Sequence, residues 1–168
     1  MRAASIDEEF PVVDIDSPAL DAARMLAEHR LPGIVVLTAD GQLYAVLPAS
    51  QVVRFIVPRY VQDDPLLARV LAESMADAAA ETLRGKTIRD LVPRRQLVLP
   101  TVDADDTILE VATIMARLRS PLIAVMQQGA LHGVITAARL SAMALKCGLI
   151  DTGHPRALQW APSASVDA

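Results

Sequence analysis

Leu31-Pro32-Gly33-Ile34-Val35-Val36-Leu37, followed by Asp40-Gly41-Gln42-Leu43, is written a second time in this chain. The second version is Ser120-Pro121-Leu122-Ile123-Ala124-Val125-Met126, followed by Gly129-Ala130-Leu131. Each version is a helix-breaking proline, a short continuous apolar run, a glycine turn and a second apolar run. Working outward, the match extends from Pro11/Pro100 through Asp14/Asp103, Leu20/Leu109, Ala23/Ala112, Ala27/Ala116 and Arg30/Arg119. The spacing is 89 residues (100 minus 11), and it drops to 88 near Asp40, giving Gly41/Gly129 and Val46/Val134. Two copies of one supersecondary unit are therefore expected, and any ligand should sit in the clefts that such a pairing creates.

Asp16-Ser17-Pro18 reads as a helix start in which Ser17 caps and Pro18 takes the first helical position. Leu20, Ala23, Met25, Leu26 and Ala27 give the helix an apolar face, predicting a helix to about His29. Ile34–Leu37 reads as a buried strand and Leu43–Leu47 as its return, joined by a two-residue turn at Asp40-Gly41. Ala49–Ile56 reads as a second helix, stopped by Pro58. In the second copy, Thr107 and Glu110 have capping-box spacing. Helix, strand, turn, return strand and closing helix Ala137–Lys146 follow in the same order, with Gly148 as the C-cap. Short entering strands are expected near 12–15 and 97–102. Each copy is thus strand–helix–strand–strand–helix. A three-stranded sheet with helices on one side buries itself poorly, so two such sheets should pack across a pseudo-two-fold axis.

Between the copies, Leu67, Val70, Leu71, Met75 and Leu83 recur at helical spacing. They are read either as a stripe packed on the protein's own core or as a dimer helix. The boundaries expected are a first repeat at 1–60, a helical linker at 61–86, a second repeat at 87–150 and a mobile tail at 151–168. Trp160 in that tail is read as incidental or as a docking anchor.

The 168 residues are 52% hydrophobic but only 3% aromatic, so the core must be aliphatic. The formal net charge is −4 and the pI about 5.3, which with so few aromatics argues against a nucleic-acid surface. Cys147 is the only cysteine, which fits a reducing cytoplasm. The beginning, Met1 to Glu9, lacks the basic and then apolar run of a signal peptide, and no apolar run is long enough for membrane insertion. Catalysis finds little support, and a hydrolase is a remote reading: there is no Gly-rich phosphate loop and no nucleophile elbow. His29, His132 and His154 lack metal-ligand spacing. The acid pairs at Asp14/Asp16 and Asp103/Asp105 fall at strand-to-helix turns, where Asp holds turns and caps.

The helix starts, the Ala22-Ala23-x-x-Leu26 and Val111-Ala112-x-x-Met115 faces, and above all the duplicated strand–turn–strand segments resemble a tandem pair of CBS domains, or Bateman module. The resemblance covers about 140 residues, all but the tail. It implies an α/β (α+β) fold. It also implies a non-catalytic regulatory module that binds an adenine nucleotide (ATP, ADP or AMP) or S-adenosylmethionine between its halves. Such pairs form homodimers and control a partner enzyme or transporter; no cofactor is required. A ligand-free interaction module acting on such a partner is the alternative.

Nucleotide-binding copies of this family usually end the last strand with a glycine, then Thr or Ser, then an Asp that holds the ribose. The second copy has Gly133 and Thr136, but Arg139 replaces the Asp; the first has Ala45, Pro48 and Gln51. Arg139 has donors only, so it cannot accept from a ribose but could pair with a phosphate. Alternatively, Thr136 is an N-cap and Arg139 a solvated helix residue. The expected lining of the better cleft is Val98, Thr101, Pro121, Ile123, Val125, Thr136 and Arg139, with Ile34, Val36 and Gln51 from the first copy.

Overall fold

A computed structural model describes residues 1–57, 59–63, 81–92 and 98–146. Leu67, Val70, Leu71, Met75, Cys147, Gly148, Trp160 and the tail lie outside the described residues.

After a 3₁₀ turn at Ala3–Ser5, the first copy runs β1 (Val12–Asp14), α1 (Ala19–Glu28), β2 (Gly33–Leu37), β3 (Leu43–Pro48) and α2 (Ala49–Ile56). Two short helices follow, α3 (Arg59–Asp63) and α4 (Ile88–Leu91). The second copy runs β4 (Thr101–Asp103), α5 (Ile108–Leu118), β5 (Leu122–Gln127), β6 (Ala130–Thr136) and α6 (Ala137–Lys146). Each copy forms its own three-stranded mixed sheet, in the orders β1-β2-β3 and β4-β5-β6, with one parallel and one antiparallel pairing.

The duplication reaches into fine detail. Both long strands carry a bulge at the same place, between Val36 and Leu37 and between Val125 and Met126. Both first helices end in the same way: Leu31 N–H returns to the Leu26 carbonyl and Ser120 N–H to the Met115 carbonyl, with Arg30 and Arg119 left-handed at φ 50° and 51°. This is a Schellman-like ending with arginine where glycine is usual. Asp14 accepts from the Asp16 N–H and Asp103 from the Asp105 N–H, so the acid pairs hold the strand-to-helix turns.

The copies differ in their caps and turns. Thr107 and Glu110 form the expected capping box. Ser17 does not cap α1; Pro18 occupies the N-cap position and forms a bridge with Thr87, while the Lys86 carbonyl takes the Ala19 N–H. The tertiary partner does the work that the sequence pattern assigned to a serine. The first hairpin also needs a longer loop than two residues, because Thr38 and Gln42 pair across it and only Gly41 is left-handed. The second hairpin is tight, with both Gln128 and Gly129 at positive φ.

Three apolar layers hold the molecule. Ile34, Val36, Leu47 and Val52 pack with Ala22 and Leu26 beneath the first sheet, and Ile123, Val125, Ile135 and Val111 pack beneath the second. Between the sheets runs a seam of Val35, Val46, Leu122, Ala124 and Val134. Val35/Ala124 and Val46/Val134 are equivalent pairs in the repeat, so the seam is built around the pseudo-two-fold axis.

The segment before each copy packs on the other copy. Ala3 and Ala4 donate to the carbonyls of Asp106 and Ala104, and Ala3 and Ile6 are fully buried in the second core. Ile88 and Arg89 donate to the carbonyls of Ser17 and Ile15, and Ile88 is fully buried in the first core. Leu83, the one stripe position that is described, is 2% exposed and joins the same first core. The four acceptors are repeat equivalents (106 minus 17 and 104 minus 15 are both 89), so the exchange is reciprocal.

Candidate functional site

Strand register decides which expected residues face the seam. Side chains paired across a sheet share a face. Leu122 pairs with Thr136, Ala124 with Val134, and Ala124 with Thr101, so Thr101 and Thr136 stand on the seam face of the second sheet. In the first sheet the same face carries Gly33, Val35, Val46 and Pro48.

Four expected lining residues belong to the other face. Ile34, Val36, Ile123 and Val125 have no exposed surface and point into the core beneath their own sheets. Each is one residue out of step with the seam. Val98 is 69% exposed, outside the core. Pro121 is half-buried, and its carbonyl accepts from the Ala137 N–H as the Pro32 carbonyl does from Ala49. Gln51 is half-buried on α2.

Thr136 is the one buried polar side chain among the described residues, at 8% exposure. Its Oγ1 accepts from the Arg139 N–H at 3.2 Å, which makes it the N-cap of α6. Its own proton points toward Glu8 Oε1, 3.4 Å away, at the weak limit of hydrogen bonding. Arg139 is not free: its Nε donates to the Ile6 carbonyl at 3.1 Å.

The sequence reading missed the segment that reaches this place, Ile6 to Glu8. Glu8 pairs with Val134 in both directions, at 3.0 and 3.1 Å, adding one residue to the edge of β6. The Asp7 carboxylate lies 2.6 Å from His132 Nδ1 and its side chain is only 10% exposed. Gly133 permits this approach, since a Cβ there would come within 2.3 Å of Asp7 Oδ2. The one available signal was a run of three acids, Asp7-Glu8-Glu9, next to an apolar Ile6.

Elsewhere the charge pattern is structural. Arg89 makes two bonds to Asp16 Oδ1, at 2.9 and 3.0 Å, and that contact raises its already high pKa. The Glu110 carboxyl is held below the usual range, first by the Thr107 N–H and then by its hydroxyl. A shallow depression of about 440 Å³ lies on α5, lined by Thr107, Leu109, Glu110, Thr113 and Ile114. It includes none of the ten expected lining residues. No group of three metal-ligating side chains occurs among the described residues. No helix among them is long and apolar enough to cross a membrane.

Two duplicated units, each a small mixed sheet with helices on one face, joined back to back along an apolar seam, define a tandem α/β module. The chain belongs to the CBS-domain family, whose model matches it twice, at residues 3–58 and 88–143. No curated protein matches it. Among solved structures it is similar to a CBS domain-containing protein of unknown function from Kribbella flavida. That protein is 53% identical over 86% of this chain and 99% of the other, with a TM-score of 0.74. The CBS domain of a CBS domain-containing membrane protein from Sphaerobacter thermophilus is 22% identical, over 84% of this chain and 86% of the other, with a TM-score of 0.64. CBSX2 in complex with AMP is 17% identical, over 87% and 97%, with a TM-score of 0.61. At those last two identities the likeness is one of fold.

Proposed function

We propose that this protein is a non-catalytic regulatory module. It binds an adenine nucleotide or S-adenosylmethionine at the Thr136 end of the seam and so modulates a partner enzyme or transporter. The observation that carries the reading is Thr136 itself. A buried polar side chain is uncommon unless its hydrogen bonds are complete, and this hydroxyl has a weak outlet for its proton. It stands at the N-terminus of a ten-residue helix, at the end of the apolar seam between the two sheets. The complex of CBSX2 with AMP supports an adenosine ligand for this fold. A ligand that fits one relative orientation of the two sheets better would shift the module toward it.

Thermal unfolding with ATP, ADP, AMP and S-adenosylmethionine tests the reading. A native-state ligand at a hundred times its Kd stabilises by about 2.7 kcal/mol. No shift with any of the four at millimolar concentration would sink it.

One observation favours a second reading, an interaction module that forms a homodimer or docks a partner through its helices. Leu109 is 71% exposed on α5, beside the depression that Ile114 also lines. Leu109→Arg should then abolish self-association, measured by sedimentation, without unfolding the chain.

A further inference from the structure

We infer that Glu8 determines the charge of the ligand the second cleft accepts, turning phosphate away and admitting an adenosine whose 5′ substituent is neutral or cationic. The inference rests on the nucleotide reading of Thr136 and narrows it. The geometry is direct. An acceptor atom bonded to the Thr136 hydroxyl would lie about 2.7 Å from Oγ1. Glu8 Oε1 lies 3.4 Å from the same oxygen. Any acceptor held by Thr136 therefore sits within about 6 Å of a carboxylate oxygen. A ribose hydroxyl or ether oxygen tolerates that neighbour, and a hydroxyl can donate to it. A phosphate meets like charge there.

The stretch of chain that carries Glu8 is anchored. Its backbone is paired on both sides to Val134, two residues before Thr136 on the same strand. The residue before it is fixed by His132, and Ile6 before that is fully buried. Arg139 carries the opposing charge, and the bond from its Nε to the Ile6 carbonyl leaves that charge in place, so Glu8 acts by offsetting a cation that would otherwise favour a phosphate. The first copy has Pro48 where the second has Thr136, so this arrangement belongs to one cleft.

The test compares adenosine, AMP and S-adenosylmethionine by titration calorimetry on the full chain, Glu8→Gln and Glu9→Gln, at constant ionic strength. The parent should bind adenosine and S-adenosylmethionine about tenfold or more tighter than AMP. Glu8→Gln should narrow that gap to about threefold or less, tightening AMP, weakening the cationic S-adenosylmethionine and leaving adenosine within about twofold. Glu9→Gln, which removes an exposed neighbouring charge, should leave the gap as it is. AMP binding the parent as tightly as adenosine, an equal change for all three ligands in Glu8→Gln, or an equal narrowing by Glu9→Gln would each overturn the role of Glu8. If neither the parent nor a folded Glu8→Gln binds any of the three, the nucleotide reading fails and this inference falls with it.

Discussion

Gly33 touches Leu122 across the seam, and the two are equivalent positions of the repeat, 89 residues apart. At the pseudo-two-fold axis a residue meets its own counterpart, so one side must be small where the other is large. A Cβ on Gly33 would lie 2.6 Å from Leu122 Cδ2 and 2.5 Å from the Leu47 carbonyl oxygen. Gly33→Ala should therefore destabilise by about 1–3 kcal/mol through overpacking. Urea unfolding checks it; a variant as stable as the parent would mean that the sheets slide apart at little cost.

Gly133 and Asp7 should behave as a coupled pair. Gly133→Ala forces the Asp7 carboxylate off His132, whereas in an Asp7→Ala background the two closest clashes are gone and only the 3.1 Å approach to the Cβ of residue 7 is left. The double-mutant cycle should show an interaction of about 1 kcal/mol. Simple additivity would mean that the acid contributes nothing to holding the segment.

Ile6 is fully buried in the second core, though it precedes the first copy in the chain. Ile6→Ala should cost about 2–5 kcal/mol, the range for emptying such a site. Hydrogen exchange should place the loss on β6 and α5 rather than on the first sheet. Loss confined to residues near Ile6 would contradict the packing.

The Thr107/Glu110 capping box should matter both to stability and to its acid dependence. Thr107→Ala should cost about 1 kcal/mol. The Glu110 carboxyl lies below its usual range when folded, because the Thr107 N–H and hydroxyl stabilise the charged form. Its contribution is complete above the ordinary carboxylate range and is lost as pH falls through the folded value. Glu110→Gln should thus weaken the protein near neutrality and converge with the parent in acid, which unfolding at a series of pH values would show.

The fold was legible because duplication doubled every signal. Apolar runs at 34–37 and 122–126, glycine turns and the Thr107-x-x-Glu110 spacing each gave an element that the structure contains. The cleft was far less legible, for a physical reason. Residues 33–36 and 122–125 are buried on both faces, so alternation carries no sign of which side meets the partner sheet. Ile34, Val36, Ile123 and Val125 fill the space under the helices. The seam takes their neighbours, Val35, Leu122 and Ala124. Thr136 was legible as a cap because capping is local. Glu8 was not, because its approach is fixed by pairing with a strand more than a hundred residues away.

The reciprocal exchange of leading segments also bears on how the chain is made. Ile6 leaves the ribosome about 130 residues before β6, whose sheet buries it. At roughly 5–20 residues per second that is an interval of about 6–25 s. Until then, a fully apolar side chain and the amides of Ala3, Ala4 and Glu8 await partners not yet synthesised. The first sheet, complete at Pro48, lacks its own lid, the Ile88 segment, for a further 40 residues of synthesis (88 minus 48). Neither copy should mature alone, and the two should lock together in a single late, cooperative step governed by long-range contacts.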